Sequence, residues 1–320
     1  MLNRALLFFA SVVLSASSFA QMIVKEEPIY LETSVGKIYG TLKVPSSSKA
    51  VPVALIIVGS GPTDRNGNSP IMNSNVYKML SDALFYNNIA TVCFDKRMIG
   101  ESKVAQTEAE LRFDNYVNDV KGWVDMLSAD KRFSEVILVG HSEGSLLGMA
   151  ASENNPKVSK FVSLAGIAEP AANILKDQLS KQLKGQPQAV TDLVYSYIDK
   201  LNSGETIDNV PPMLNLLFRP SVQPYMISWF RYNPTEIIAK LNIPVLIVQG
   251  TTDIQVPVKQ AELLSEACPG AQKVIIENMD HVLKISESTD QAEQFRNSYN
   301  NPDAPISKTL VKSICDFIQK

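Results

Sequence analysis

"EVILVGHSEGSLLGMAAS", residues 135–152, decides the reading of this chain. It opens as an apolar run, residues 136–139, suited to a buried strand. It closes as an apolar run, residues 146–151, suited to a buried helix. Between them lie Gly140, His141, Ser142, Glu143 and Gly144. A serine before a helix is a favoured N-cap, because its oxygen accepts a free N–H of the first turn. Two glycines flanking a serine between strand and helix point further. That pattern makes a sharp elbow, with the hydroxyl projecting and small neighbours letting other backbone pass close.

An elbow serine needs a base, because a hydroxyl is a weak nucleophile until its proton is taken. The chain has 2 histidines. His141 adjoins Ser142, where its ring cannot readily fold back. His281, after the apolar run in "KVIIENMDH", is therefore the candidate base, and imidazole titrates near working pH. The base needs an orienting acid. "PVLIVQGTTDIQVP" ends a strand and then presents Asp253, in the chain order Ser, Asp, His. Asp280 is a rival, but it adjoins His281 and the two side chains should diverge. An oxyanion needs backbone donors. The N–H of Glu143, at the start of the helix, is one candidate. The N–H of Ser60, in the loop "SGPTDRNGN" that follows "VALIIVG", is the other.

Around this centre the chain alternates. "PIYLETS" and "GKIYGTLKVP" read as an antiparallel hairpin turning at Val35-Gly36. "VPVALIIVGSGP", "IATVCFDKR", "SEVILVG", "KFVSLAG", "PVLIVQG" and "QKVIIEN" read as buried strands. Helical patterns cover residues 75–87, 108–128, 142–153, 258–267 and 304–319. Buried strands alternating with helices imply an α/β fold, a mostly parallel sheet covered on both faces. Residues 169–240 carry helical patterns without a strand and read as a helical cap inserted between core segments 21–168 and 241–320. Within the cap, Phe218, Tyr225, Met226 and Trp229 are candidate pocket residues, because Pro220 and Pro224 break one long helix into turns.

Elbow, acid and base together resemble the α/β-hydrolase fold over residues 22–320. The loop "GSGPTDRNGN", the turn "FDKRMIGES", "GHSEGS" and "FRPSVQPYMISW" resemble a bacterial branch of serine esterases, grouped with serine-aminopeptidase-like acyl hydrolases. The resemblance implies Ser142 as nucleophile, Asp253 as acid, His281 as base, and Ser60 and Glu143 as oxyanion donors. The turn departs from the commoner Asp-x-Arg-Gly-x-Gly-x-Ser, with Met98 in the first glycine position.

Composition narrows the classes. The 320 residues are 45% hydrophobic with a net charge of −3, and no basic block suggests nucleic acid. No phosphate loop and no Cys/His zinc spacing is present, so neither cofactor nor metal is expected. Three cysteines, Cys93, Cys268 and Cys315, are an odd set that argues against a disulfide framework. The order of residues 1–20, Arg4, then an apolar run, then Ser18-Phe19-Ala20, reads as a signal peptide cleaved near Ala20, implying a periplasmic or secreted protein. An uncleaved anchor is the alternative. No later segment is apolar enough to cross a membrane.

The expected reaction is hydrolysis of a small carboxylic ester through an acyl-enzyme, with short neutral acyl groups favoured. Two arguments suggest that preference: a lid over the site, and the Glu143 carboxylate disfavouring anions. Peptide or aryl-amide hydrolysis is the alternative chemistry, and a non-catalytic binding protein the alternative class. Fold alone does not choose among them.

Overall fold

The computed structural model describes residues 26–320; the expected signal segment, residues 1–20, lies outside them. Strand β3 (Val51–Ile57) shows how the sheet is built. Its alternate side chains Val51, Val53, Leu55 and Ile57 enter one apolar cluster. Ala54 and Ile56 enter a second cluster on the opposite face. A strand whose side chains alternate can be apolar throughout only if both faces are covered.

Besides a two-residue hairpin pairing Asn68–Ser69 with Met72–Asn73, the other strands are β1 (Glu26–Thr33), β2 (Gly36–Lys43), β4 (Ala90–Phe94), β5 (Phe133–His141), β6 (Val158–Leu164), β7 (Val245–Gly250) and β8 (Gln272–Ile276), which with β3 make the main sheet. The main sheet has eight strands, ordered β1-β2-β4-β3-β5-β6-β7-β8. The hairpin β1–β2 is antiparallel and β2 meets β4 antiparallel. From β4 to β8 every pairing is parallel. All eight strands expected from the sequence are present.

Helices α1 (Val76–Tyr86), α2 (Phe113–Ala129) and α3 (Glu143–Ser152) lie within the first half of the chain. Residues 169–240, the expected insertion, hold α4 (Ala171–Gln182), α5 (Gln188–Asn202), α6 (Asn215–Phe218), α7 (Gln223–Phe230) and α8 (Pro234–Ile238), with no strand, between β6 and β7. Then come α9 (Val258–Ala267), a short α10 (Gln291–Gln294) and α11 (Lys308–Ile318). The first turn of α10 runs on into a π-turn at Phe295–Tyr299. Among the described residues no helix is long and apolar enough to cross a membrane. Cys93, Cys268 and Cys315 are free thiols.

The helical insertion does not keep a core of its own. Val194, Ile198, Leu201, Met226 and Phe230 join the same apolar cluster as β3 and α3. Phe113, at the start of α2, is the anchor. Its ring lies 4.7 Å from Tyr232 and stacks on Trp229 at 6.4 Å. Its backbone N–H donates to Ser228 Oγ at 2.8 Å. Packing of that ring against Trp229 and Tyr232 ties the segment 169–240 to the start of α2.

Phe113→Ala should therefore cost about 3–5 kcal/mol of unfolding free energy, the range for emptying a buried aromatic site. Urea unfolding followed by circular dichroism measures it. A loss below about 1 kcal/mol would show that the cap is held elsewhere.

Candidate active site

The site begins at a strained turn. Ser142 has φ 55° and ψ −121°, outside the basins that L-residues prefer. Such a conformation persists only when its surroundings over-determine it. Here they are two backbone contacts. A Cβ on Gly140 would meet Gly144 O at 2.2 Å, and one on Gly144 would meet Ile57 O at 2.2 Å. No side chain fits either place. The glycines let β5, β3 and α3 close on one another and turn Ser142 outward. Its N–H donates to Leu164 O at 2.9 Å.

Asp253 stands just beyond β7. Its Oδ2 lies 2.8 Å from His281 Nδ1 and accepts from Gln249 Nε2 at 2.9 Å. Its Oδ1 accepts the backbone N–H groups of Gln255 and Val256, both at 2.8 Å. Burial pushes the carboxyl pKa up, but the neighbouring His281 and these donors outweigh it and hold it below the usual range. The strand end is packed tightly against the histidine loop: a Cβ on Gly250 would meet Met279 O at 1.9 Å. Asp280 turns away to accept the backbone N–H of Lys284 at 3.0 Å.

Ser142 and His281 line one chamber of about 90 Å³, with Ser60, Gln255 and Tyr299 also in its wall. No direct hydrogen bond joins Ser142 Oγ to His281 among the described residues. A second pocket of about 60 Å³ also opens on Ser142, with Ile174, Leu175 and Trp229 on one part of its wall and Ser60, Glu143 and Gln178 on the rest. The Ser60 N–H donates to no described residue. The Glu143 N–H opens α3, where the first-turn donors have no intrahelical partner. Both are backbone donors beside the serine, in a setting suited to a developing negative charge.

Of the candidate pocket residues in the cap, Trp229 borders the 60 Å³ pocket. Tyr225 borders a separate cavity of about 320 Å³ that reaches Gly61, Lys96 and Glu143. Phe218 and Met226 require correction. The Phe218 ring is fully buried, edge-on to Tyr197 at 5.5 Å, and Met226 sits in the main core. Phe218 ends α6 and Met226 lies within α7, and each faces inward from its own helix. The Glu143 carboxylate also differs from expectation. It pairs with Lys96 Nζ at 3.3 Å, so it does not stand as an unpaired charge against anionic acyl groups.

Several groups at the site have no motif to reveal them. His141, passed over as base, is buried with both ring nitrogens engaged. Its Nε2 lies 2.7 Å from the His281 carbonyl and its Nδ1 2.8 Å from Tyr77 Oη. A carbonyl only accepts, so Nε2 carries the proton and Tyr77 donates to Nδ1. Tyr77 Oη in turn accepts the Gly59 N–H at 2.9 Å. One buried chain thus ties the Ser60 loop, the elbow and the base loop. The sole hint in the sequence is a histidine beside the serine. In "FDKRMIGES", Asp95 Oδ1 accepts the Arg65 N–H at 2.7 Å, and Arg97 grips Asp119 with two 2.7 Å bonds. Met98 takes φ 67°, the left-handed backbone that glycine usually supplies there.

A description named "Serine aminopeptidase, S33" matches residues 71–203, a span that includes Ser142 but neither Asp253 nor His281. The chain is 26% identical over 260 residues to the esterase EstD of Thermotoga maritima, covering 80% of this chain and 60% of that protein. The match thus spans about three-fifths of the esterase's length. Among solved structures, Est1E from Butyrivibrio proteoclasticus superposes with TM-score 0.59 at 18% identity, covering 91% of this chain and 97% of that one. The alpha/beta hydrolase GrgF from Penicillium sp. sh18 gives TM-score 0.61 at 15% identity, covering 92% and 98%. The chain has the α/β-hydrolase fold.

Burial, with the neighbouring His281, pushes the His141 pKa down from 6.5 to about 3. Between those values the unfolded chain holds a proton that the native state refuses, so stability falls as pH drops below 6.5. The contribution amounts to about 2 kcal/mol between pH 7 and 5 at about 1.4 kcal/mol per unit. Urea unfolding of the wild type and His141→Gln at both pH values should show a flatter dependence in the variant. Equal dependences would mean that His141 does not fold as a neutral group.

Proposed function

We propose that this α/β-hydrolase cleaves carboxylic esters, with Ser142 as nucleophile, His281 as general base and Asp253 as the acid that orients it. The observation that carries this reading is the 2.8 Å Asp253–His281 contact on the wall of the chamber that holds Ser142. The likeness to an esterase supports it. As Ser142 Oγ bonds to the ester carbon, its proton passes to His281 Nε2, and Asp253 stabilises the imidazolium. The carbonyl oxygen becomes an oxyanion facing the N–H groups of Ser60 and Glu143. Its collapse breaks the ester C–O bond, and the leaving alkoxide takes the proton from His281. Water then attacks the acyl-serine by the same route, releasing the acid and restoring Ser142.

The pocket of about 60 Å³, whose wall includes Ile174, Leu175 and Trp229, suits the acyl group, and its size favours acetyl to butyryl chains. This preference now rests on volume and on Trp229, not on the charge of Glu143. The same machinery can cleave amides, and the match to a serine aminopeptidase description keeps that second reading open. An aminopeptidase needs an anion to hold a free amine. Among the described residues Glu143 is the one carboxylate lining the two chambers at Ser142, and Lys96 already pairs with it. That favours the ester. Work outside the cytoplasm belongs to the same proposal. Its support is the residue order of 1–20, and N-terminal sequencing of the mature protein should begin at Gln21.

Ser142→Ala and His281→Ala should each lower kcat by several orders of magnitude on p-nitrophenyl acetate, and the double variant should be little worse. Asp253→Asn should cut turnover far more than Asp280→Asn. Near-normal turnover in a folded Ser142 or His281 variant, or the reverse order of the aspartates, contradicts the assignment. Aminoacyl arylamides assayed alongside should be poorer substrates than the esters.

A chain-length series tests the pocket separately. Wild type should peak between two and four acyl carbons, and Trp229→Ala should move the peak longer while keeping acetyl-ester turnover. A wild-type peak at ten carbons or more, or an unchanged profile in the variant, would refute the small-pocket account.

A further inference from the structure

Lys96 is buried just beyond the end of β4, with 3% of its side chain exposed. Its Nζ donates to the Gly59 carbonyl at 2.7 Å and to Glu143 Oε1 at 3.3 Å. These are not two unrelated partners. Gly59 O belongs to the peptide group whose N–H is that of Ser60. Glu143 is the residue whose N–H opens α3. We infer that Lys96 is a positioning residue for the oxyanion hole, holding both of its backbone donors in register by gripping the Gly59 carbonyl and the Glu143 side chain at once. The inference rests on reading Ser142 as the nucleophile.

The physical step is peptide geometry. Among the described residues no peptide bond is cis, and in a trans peptide C=O and N–H point in opposite directions. A cation that fixes the Gly59 C=O on one side therefore directs the Ser60 N–H to the other. Ser60 lines both chambers that open on Ser142, and its N–H is free of described acceptors. Gly59 is held at its own N–H as well, by Tyr77 Oη at 2.9 Å. It also packs tightly on the elbow, where a Cβ would meet Ser142 Cβ at 3.3 Å. With its N–H, its carbonyl and its Cα face all held, the loop has little freedom to swing the Ser60 peptide. Without Lys96, the Gly59 carbonyl would be buried and unpartnered, and the peptide could turn to seek a donor.

A role confined to neutralising Glu143 makes a different forecast, and charge removal in pairs separates the two. Lys96→Met alone strands a buried carboxylate and invites misfolding. The deciding variant is therefore Lys96→Met/Glu143→Gln, which removes both charges and keeps both shapes. Wild type and both variants are compared for turnover of p-nitrophenyl acetate. Affinity for a trifluoromethyl ketone, whose adduct with Ser142 presents an oxyanion, is measured alongside, with the melting temperature as a check on folding. Loss of an aligned oxyanion donor costs roughly 10²–10³-fold in kcat. The double variant should fold, lose about that factor in kcat with KM within a few-fold of wild type, and lose affinity for the ketone by a similar factor. Recovery of kcat in the double variant to within a few-fold of wild type overturns the inference and leaves the esterase reading standing. So does a loss confined to KM. Absence of turnover and of ketone binding in the wild type overturns both.

Discussion

The turn at Ser142 is the constraint on which the site depends. A residue held at φ 55° and ψ −121° carries a conformational cost of about 1–3 kcal/mol. The fold sustains it because β3, β5 and α3 are pressed together through Gly140 and Gly144, where no Cβ fits. One turn then distributes three consecutive residues to three tasks. His141 goes down into the buried hydrogen-bond chain, Ser142 goes out to the chamber wall, and Glu143 begins the helix with a free backbone N–H.

Rigidity around that turn comes from buried polar groups with assigned partners. Gly59, Tyr77, His141 and the His281 carbonyl form one chain of 2.9, 2.8 and 2.7 Å contacts. Gln249, at the end of β7, donates to Asp253 Oδ2 at 2.9 Å and to Val256 O at 2.8 Å, closing the acid loop on itself. In a low-dielectric interior such bonds are strong when complete and costly when broken. Loops that would otherwise drift are thus registered against the sheet.

Most of the sheet was legible because burial on both faces writes unbroken apolar runs, as in β3 and in residues 136–139 of β5. The pairing of Asp253 with His281 was legible from chain order and from a shortage of histidines. What escaped depends on directions that periodicity does not encode. Phe218 and Tyr225 lie on one aromatic segment, yet the first ends α6 and faces the core while the second, in α7, lies on a cavity wall. Glu143 looked like a charge beside the reacting centre, and only the fold brings Lys96, from the turn after β4, to pair with it. Met98 adopts the glycine-like backbone that its type disfavours, so the turn survives a substitution that sequence pattern counts as a departure. The segment before α10 and its π-turn follow no simple repeat, and they supply Tyr299 to the chamber wall.

The central claim is that Ser142 is an activated nucleophile. A fluorophosphonate tests it directly, because it phosphonylates a serine only where a base takes the proton and backbone donors receive the developing charge. Intact-mass spectrometry of the treated protein, followed by peptide mapping, should show one adduct, on the peptide carrying Ser142, and none in Ser142→Ala. A folded wild-type protein that takes up no adduct, or takes it on another residue, would contradict the account.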